Sequence, residues 1–301
     1  MLQKINPYNN NICGNYPLKR QQIQFRGDYK YSDTFIAPDS FMRSANGVNE
    51  MPEIEQPKKP LFHKKLKRGQ FLTDGKVFNG NTTYMFRDDL DWKMFGDFLT
   101  ERFNKCDKVN VYNYAASKGY EPYSLSILLQ LRLGENAKKF FPIMAKDIDR
   151  EIIAEDILKQ KTGNIKLKIT YCDCIQRQLK INKEELSPYM EQESKYYGNA
   201  KLYKKALEPV KFSCANILED VENIDTEHPS LVMCRNMWPY VDKNEYQDFA
   251  KRLYDRLAAG SVVVVGYFDY VPDECFPPKL LEAGFKPLDK NDRENLIFLK
   301  D

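Results

Sequence analysis

Residues 110–129 read NVYNYAASKGYEPYSLSILL. A short run rich in aromatic and β-branched residues enters a cluster of small residues, passes a glycine and opens into an apolar helix beginning at Glu-Pro. Strand, tight turn, helix is the unit from which parallel sheets are built. A small-residue turn at that junction lets backbone approach a ligand closely. The spacing is not GxGxxG and nowhere is there GxxxxGK[ST], so a P-loop is excluded.

Similar units follow on either side. Positions 88–104 read as a helix, with Phe95, Phe98, Leu99 and Phe103 along one face beside Trp92. The strand at 109–114 leads through AASKGYEP into a helix ending at Gly134. PIMAKDID (142–149), VKFSCANIL (210–218), SLVMCRN (230–236) and the four valines within 261–266 supply further strands, with helices to 158 and over 245–259. Residues 284–301 form a closing antiparallel hairpin. Near-continuous apolar strands alternating with helices predict an α/β fold, a mostly parallel sheet covered on both faces. Ligands of such sheets bind outside the carboxyl ends of the strands. The unusual residues, AASKG, DID, ANI and CRNMW, sit at those ends.

The 301 residues are 42% hydrophobic and 30% charged, ordinary for a globular protein and enough for a sizeable core. No apolar run is long enough to cross a membrane, and the start MLQKINPYNNN has no signal core, so a cytoplasmic protein is expected. Seven scattered cysteines do not form a disulfide pattern. Cys172 and Cys174 have the wrong spacing for zinc, and with two histidines in the chain no metal is expected. Residues 1–70 hold 12 Lys/Arg and 6 Asp/Glu; the remainder holds 34 and 37. The body is therefore acidic, which argues against nucleic acid as partner. The first 70 residues, rich in Asn, Gln and Pro, are expected to be a largely disordered basic tail. Their KKPLFHKKLKRG (58–69) reads as a solvated linker or a contact for an acidic partner.

At the strand ends, Asp147 is placed to accept hydrogen bonds from a ribose and Asp149 to cap the next helix. Asn216 and Asn236 read as turn formers or as ligands for an adenine edge or amino-acid moiety. Cys234 reads as a buried structural thiol, and Arg235 as a structural group bonding loop carbonyls beneath the cleft.

Six blocks carry a resemblance. NTTYMFRDD (81–89), AASKGYEPYSLS (115–126), KDID (146–149), VKFSCANI (210–217), CRNMWPYV (234–241) and AGSVVVVGYFD (259–269) occur in order. Together they resemble the CheR family of S-adenosylmethionine-dependent chemotaxis methyltransferases, whose blocks run roughly NxTxFFRD, AxSxGEEPYSLA, DID, VxFxxxNL, CRNVxIYF and GGxLxxGxSE. The resemblance implies a Rossmann-like class I methyltransferase over 71–301, with a seven-stranded sheet and a small inserted β subdomain near 160–210. KLKITYC and KLYKKAL would give that insert short strands. The cofactor implied is S-adenosylmethionine, leaving S-adenosylhomocysteine. Asn81, Thr83, Arg87 and Ala115 would line its site, Glu121 would meet its amino group and Asp147 its ribose. Asn216 and Ile217 would border the adenine, Asn236 and Met237 the reacting end. Arg87 and Tyr240 would serve catalysis, Arg87 by pairing a carboxylate and Tyr240 by facing the sulfonium. The implied reaction is methyl-ester formation on protein glutamates, in a chemoreceptor or another signalling protein. The alternatives are a cofactor-binding module without turnover and a different methyl acceptor.

The departures fall at Tyr120 for an acid, Met85 for an aromatic, Pro239-Tyr240-Val241 for IYF and Phe268-Asp269 for SE. The helical domain that usually precedes the catalytic one in chemotaxis members is not expected in residues 1–70.

Overall fold

In the computed structural model, the residues described are 83–87, 89–162, 165–170, 175–176, 179–192, 197–270, 275–289 and 296–301. The basic tail, Asn81 and the Cys172/Cys174 pair lie outside them.

The order begins with α1 (Trp92–Arg102), β1 (Asn110–Tyr114), α2 (Tyr120–Leu133), β2 (Ile143–Asp147) and α3 (Arg150–Thr162). An insert follows: β3 (Ile165–Thr170), α4 (Lys183–Leu186), β4 (Met190–Gln192), β5 (Tyr197–Leu202) and α5 (Lys204–Leu207). The main frame resumes with β6 (Val210–Cys214), α6 (Ile217–Asp220), β7 (Ser230–Met233) and α7 (Tyr246–Arg256). It closes with β8 (Val262–Val264), α8 (Pro277–Ala283), β9 (Lys286–Pro287) and β10 (Ile297–Leu299). Among these, no helix is long and apolar enough to cross a membrane.

The main sheet has seven strands in the order β6-β2-β1-β7-β8-β10-β9. β1 is central and parallel to both neighbours, Val111 lying beside Ile143 on one side and Leu231 on the other. The C-terminal hairpin is antiparallel, β10 pairing with β8 and with β9. The four valines show the period of two that a sheet covered on both faces requires. Val262 and Val264 join the core under α1, α2 and α3, with Trp92, Phe95, Leu99 and Tyr123. Val263 and Val265 join the opposite core, with Trp238, Phe249, Leu253 and Phe276 from the α7–α8 side. α2 is buried over Pro122–Leu129, which explains its apolar character all round.

Several boundaries differ from the sequence expectation. α1 starts four residues later than expected because Asp91 caps it, accepting from Met94 N at 2.9 Å. The third strand stops at Cys214, not at 218, because Asn216 caps α6 instead. In the insert, KLKITYC supplies β3 as expected. KLYKKAL supplies only the end of β5 before turning into α5, and β4 was not foreseen. These strands form a separate antiparallel sheet, β3-β5-β4.

Candidate functional site

Five parallel strands end on one side of the sheet, and the chain must turn there each time. The turn after β1 is the most constrained. Ala115, Ser117 and Gly119 all have positive φ, at 55°, 48° and 78°. A Cβ on Gly119 would meet the Tyr123 ring at 2.6 Å and Phe212 at 2.8 Å, so glycine is needed for both its φ and the close approach. Ala116 N donates to Lys146 O at 3.0 Å and Ser117 N to Asp147 Oδ2 at 2.7 Å. The first and second strand ends are thereby tied together.

Asp147 is buried, and its other oxygen accepts from Asp149 N at 2.9 Å. Burial raises its pKa, while the N–H groups of Asp149 and Ser117 oppose the rise. Asp149 caps α3, accepting from Glu151 N and Ile152 N at 3.1 and 3.2 Å. Asp149 is the helix cap expected of it, while Asp147 binds the backbone of the turn after β1.

The centre of the site is a charge cluster at the ends of β1 and β7. Arg235 donates to Glu121 Oε2 at 2.5 Å and to Asp89 Oδ1. Asn113 donates to Glu121 Oε1 at 2.8 Å. Arg235 therefore bonds two carboxylates, not the loop carbonyls expected of it: Asp89 and Glu121 converge on it from residues far away in sequence. Burial works against its charge, but Glu121, Asp89 and Asp269 outweigh it and hold the guanidinium pKa above its ordinary value.

Asn236 follows in the left-handed region, φ 58°. Its Nδ2 donates to Asp89 at 3.1 Å, and its Oδ1 accepts from Phe268 N at 3.1 Å. Asp269, fully buried, accepts from Asn236 N and Gly266 N at 2.7 Å each and from Trp238 N at 3.1 Å. Burial pushes its carboxyl up to about 7 against those three donors and Arg235. One carboxylate thus pins the turn after β7 to the turn after β8.

The segment before α1 is held on α2. Phe86, at φ 47°, donates its N–H to Ser124 Oγ at 2.9 Å. Trp92 Nε1 donates to the Arg87 carbonyl at 2.9 Å. The Arg87 side chain lies near Asp89, Nε to Oδ2 3.7 Å, and over the Phe268 ring at 5.1 Å.

Thus the structure brings Arg87, Glu121 and Asn236 together around Asp89, and Ala115 lies in the turn joined to Asp147. Asn216 spends its Oδ1 on Leu218 N at 3.2 Å, with Ile217 buried behind it, beside β2 at the end of β6. Met237 is half-buried and Tyr240 37% exposed on the 3₁₀ turn Trp238–Tyr240. Thr83 is half-buried on the segment leading to Arg87. Asp89, Asn113 and Asp269 were not singled out from sequence, though Asp89 stands in the FRDD block and Asp269 in the divergent pair after β8. Among the described residues, Asp225, Glu227 and His228 also approach one another closely, but they precede β7, on the other side of the sheet.

Residues 81–278 match the CheR methyltransferase SAM-binding domain. The chain belongs to the CheR methyltransferase family. It is 26% identical over 189 residues to a chemotaxis protein methyltransferase of Salmonella typhimurium, covering 62% of this chain and 59% of that one. A chemotaxis protein methyltransferase of Listeria innocua is 23% identical over 210 residues, 68% of this chain and 72% of the relative. Solved structures similar to this CheR-family chain include a S-adenosylmethionine-dependent methyltransferase from Clostridium acetobutylicum, at 17% identity and TM-score 0.29, covering 60% of this chain and 52% of that one. A TehB-like SAM-dependent methyltransferase from Corynebacterium glutamicum has 12% identity and TM-score 0.35, covering 74% and 90%.

The cofactor of the CheR domain is S-adenosylmethionine, and the residues present fit it. Among the described residues, Asn113 Oδ1, Ser117 Oγ and Arg235 Nε at this cleft are buried without hydrogen-bond partners, as are four side-chain atoms elsewhere, and those at the cleft are open to completion by a ligand or water. Carboxylates at Glu121 and Asp147 supply acceptors for an ammonium and for hydroxyls.

Proposed function

We propose that this CheR-family protein methylates side-chain carboxylates of glutamates in a protein acceptor, forming γ-methyl esters. The observation that carries the proposal is Arg87. Its guanidinium stands at the cleft with its one ion pair among the described residues at 3.7 Å, too long for a hydrogen bond. A planar guanidinium with donors to spare is suited to take a carboxylate in bidentate fashion.

S-adenosylmethionine, when bound, supplies an electrophilic methyl on a sulfonium. Asp147 would hold the ribose, and Glu121, braced by Asn113 and Arg235, the ammonium. Arg87 would orient the acceptor carboxylate. A glutamate is already ionised near pH 7, so no base is required of the chain, and its task is positioning and partial exclusion of water. Tyr240 would face the sulfonium side with its ring, a contact worth on the order of 0.5–2 kcal/mol. The chemotaxis relatives support a signalling protein, such as a chemoreceptor, as the acceptor.

The test begins with calorimetric titration of S-adenosylhomocysteine into the wild type and Asp147→Ala. Binding to the wild type and its loss in the variant are expected. Methyl-tritiated cofactor is then incubated with the cytoplasmic part of a chemoreceptor, and base-labile radioactivity released as methanol is counted. Arg87→Ala should abolish that release while S-adenosylhomocysteine binding is weakened but retained. Label that resists base would place the methyl on another atom, and wild-type binding without any label would leave a module without turnover.

A further inference from the structure

The turn after β8 holds two large rings partly in solvent, Tyr267 at 47% and Phe268 at 49% exposure. Its backbone is nevertheless fixed at each residue. Gly266 N donates to Asp269, Tyr267 N to Asp89 Oδ2 at 3.5 Å, Phe268 N to Asn236 Oδ1 at 3.1 Å and Asp269 N to Gly266 O at 3.1 Å. The Phe268 ring therefore leaves from a backbone anchored to the same Asp89 and Asn236 that surround Arg235.

That ring meets Arg87, whose guanidinium carbon lies 5.1 Å from its centroid; the Tyr84 ring is at 5.8 Å. Guanidinium groups favour such ring faces because the ring quadrupole attracts the cation while the planar edge keeps its hydrogen-bond donors. Arg87 is 18% exposed in its side chain and has no carboxylate at bonding distance among the described residues. Two rings thus flank its guanidinium, and among the described residues no carboxylate takes its donors at hydrogen-bond distance. Phe268 occupies the position where the CheR pattern has serine, so the contact belongs to this chain's own sequence.

We propose that Phe268 is a positioning residue that orients the Arg87 guanidinium toward the acceptor carboxylate. The proposal rests on the role given to Arg87 above.

The experiment is side-chain NMR of the full chain saturated with S-adenosylhomocysteine, the Arg87 signals being assigned by their loss in Arg87→Lys. Ring-current displacement of those protons is expected in the wild type and in Phe268→Trp, and its collapse in Phe268→Ala and Phe268→Leu. The probe for the acceptor is N-acetylglutamate α-amide, which carries a single side-chain carboxylate. Its affinity should weaken roughly two- to tenfold in the Ala and Leu variants, with affinity for S-adenosylhomocysteine unchanged and Trp restoring the wild-type value. The Leu variant, which keeps apolar bulk, separates loss of the ring from loss of packing. Undisplaced Arg87 protons in the wild type, or equal probe affinity with and without the ring, would overturn the proposal. A wild type that holds S-adenosylhomocysteine but ignores the probe would instead remove the carboxylate role of Arg87, while the proton shifts still decide whether Phe268 holds it.

Discussion

Two ion clusters lie near the carboxyl ends of the strands, on opposite faces of the sheet. On one face, Lys146 pairs with Asp220 at 2.5 Å, beside Tyr114, which donates to the same oxygen at 2.6 Å. The ammonium sits within 6 Å of two tyrosine rings, and Asn223 donates to the remaining Asp220 oxygen at 3.3 Å. On the other face, Arg235 pairs with Glu121 and Asp89. The ingredients are alike, yet one cluster is complete and the other is not. Among the described residues, Arg235 Nε and the neighbouring Asn113 Oδ1 are buried without a partner. A complete cluster fastens α6 to the sheet; an incomplete one at a cleft is where a polar ligand has work to do.

The largest expected effects come from dismantling each cluster in turn. Arg235→Ala leaves Glu121 without its cation and Asp89 with only the longer Arg87 pair, and Lys146→Ala leaves Asp220 without its own. Breaking a buried pair from one side typically costs about 3–5 kcal/mol, read by denaturant unfolding. Affinity for S-adenosylhomocysteine should separate them: a fall of about tenfold or more for Arg235→Ala and less than about threefold for Lys146→Ala. Equal losses of affinity would erase the distinction between the clusters.

A smaller effect sharpens the contrast inside the open cluster. A Cβ on Gly266 would fall 2.3 Å from the Asn236 amide. Gly266→Ala must displace the side chain that links Asp89 to the backbone of Phe268. Overpacking of this kind costs about 1–3 kcal/mol. Weaker S-adenosylhomocysteine binding should accompany it in calorimetry; unchanged binding would mean that Asn236 does not shape the cleft.

The smallest effect per pH step concerns Asp269. Its folded pKa, about 7, lies above the ordinary value of 3.8. A raised carboxyl binds its proton more tightly when folded, so its contribution is fully present below about pH 4 and fades as pH rises to about 7. Asp156, raised to about 6 by burial, titrates in the same window. The difference in unfolding free energy between the wild type and Asp269→Asn isolates the first group. It should shift against the wild type by up to about 1.4 kcal/mol per pH unit between those limits. A flat difference would show that the three N–H donors, not burial, set the carboxyl's titration.

The strands and the cleft side of the sheet were legible because their signals are local. The run of Val262–Val265, the small residues before Gly119 and the Asp147/Asp149 pair each announce themselves within a few positions. The cluster around Arg235 was not, because its partners Asp89 and Glu121 stand more than a hundred residues away. Nothing in a charged residue's own neighbourhood says which distant charge it will meet. Asp269 was passed over for a related reason: its three donors are backbone N–H groups, which carry no sequence mark. β4, three residues long, is too short to show a period.

The strand order has a consequence for how the cleft comes into being. Because β7 lies between β1 and β8, the groups gathered at the strand ends arrive from the ribosome at widely separated times: Arg87 and Asp89 early, Glu121 and Asp147 next, Arg235 and Asn236 much later, Asp269 last. Until that last turn emerges, the loop carrying Asn236 has its side chain on Asp89 but no acceptor for its backbone N–H, which Asp269 later takes. A nascent chain halted after β7 would hold the turns around Asp147 and Glu121 without Asp269, the carboxylate that ties the turn after β7 to the turn after β8.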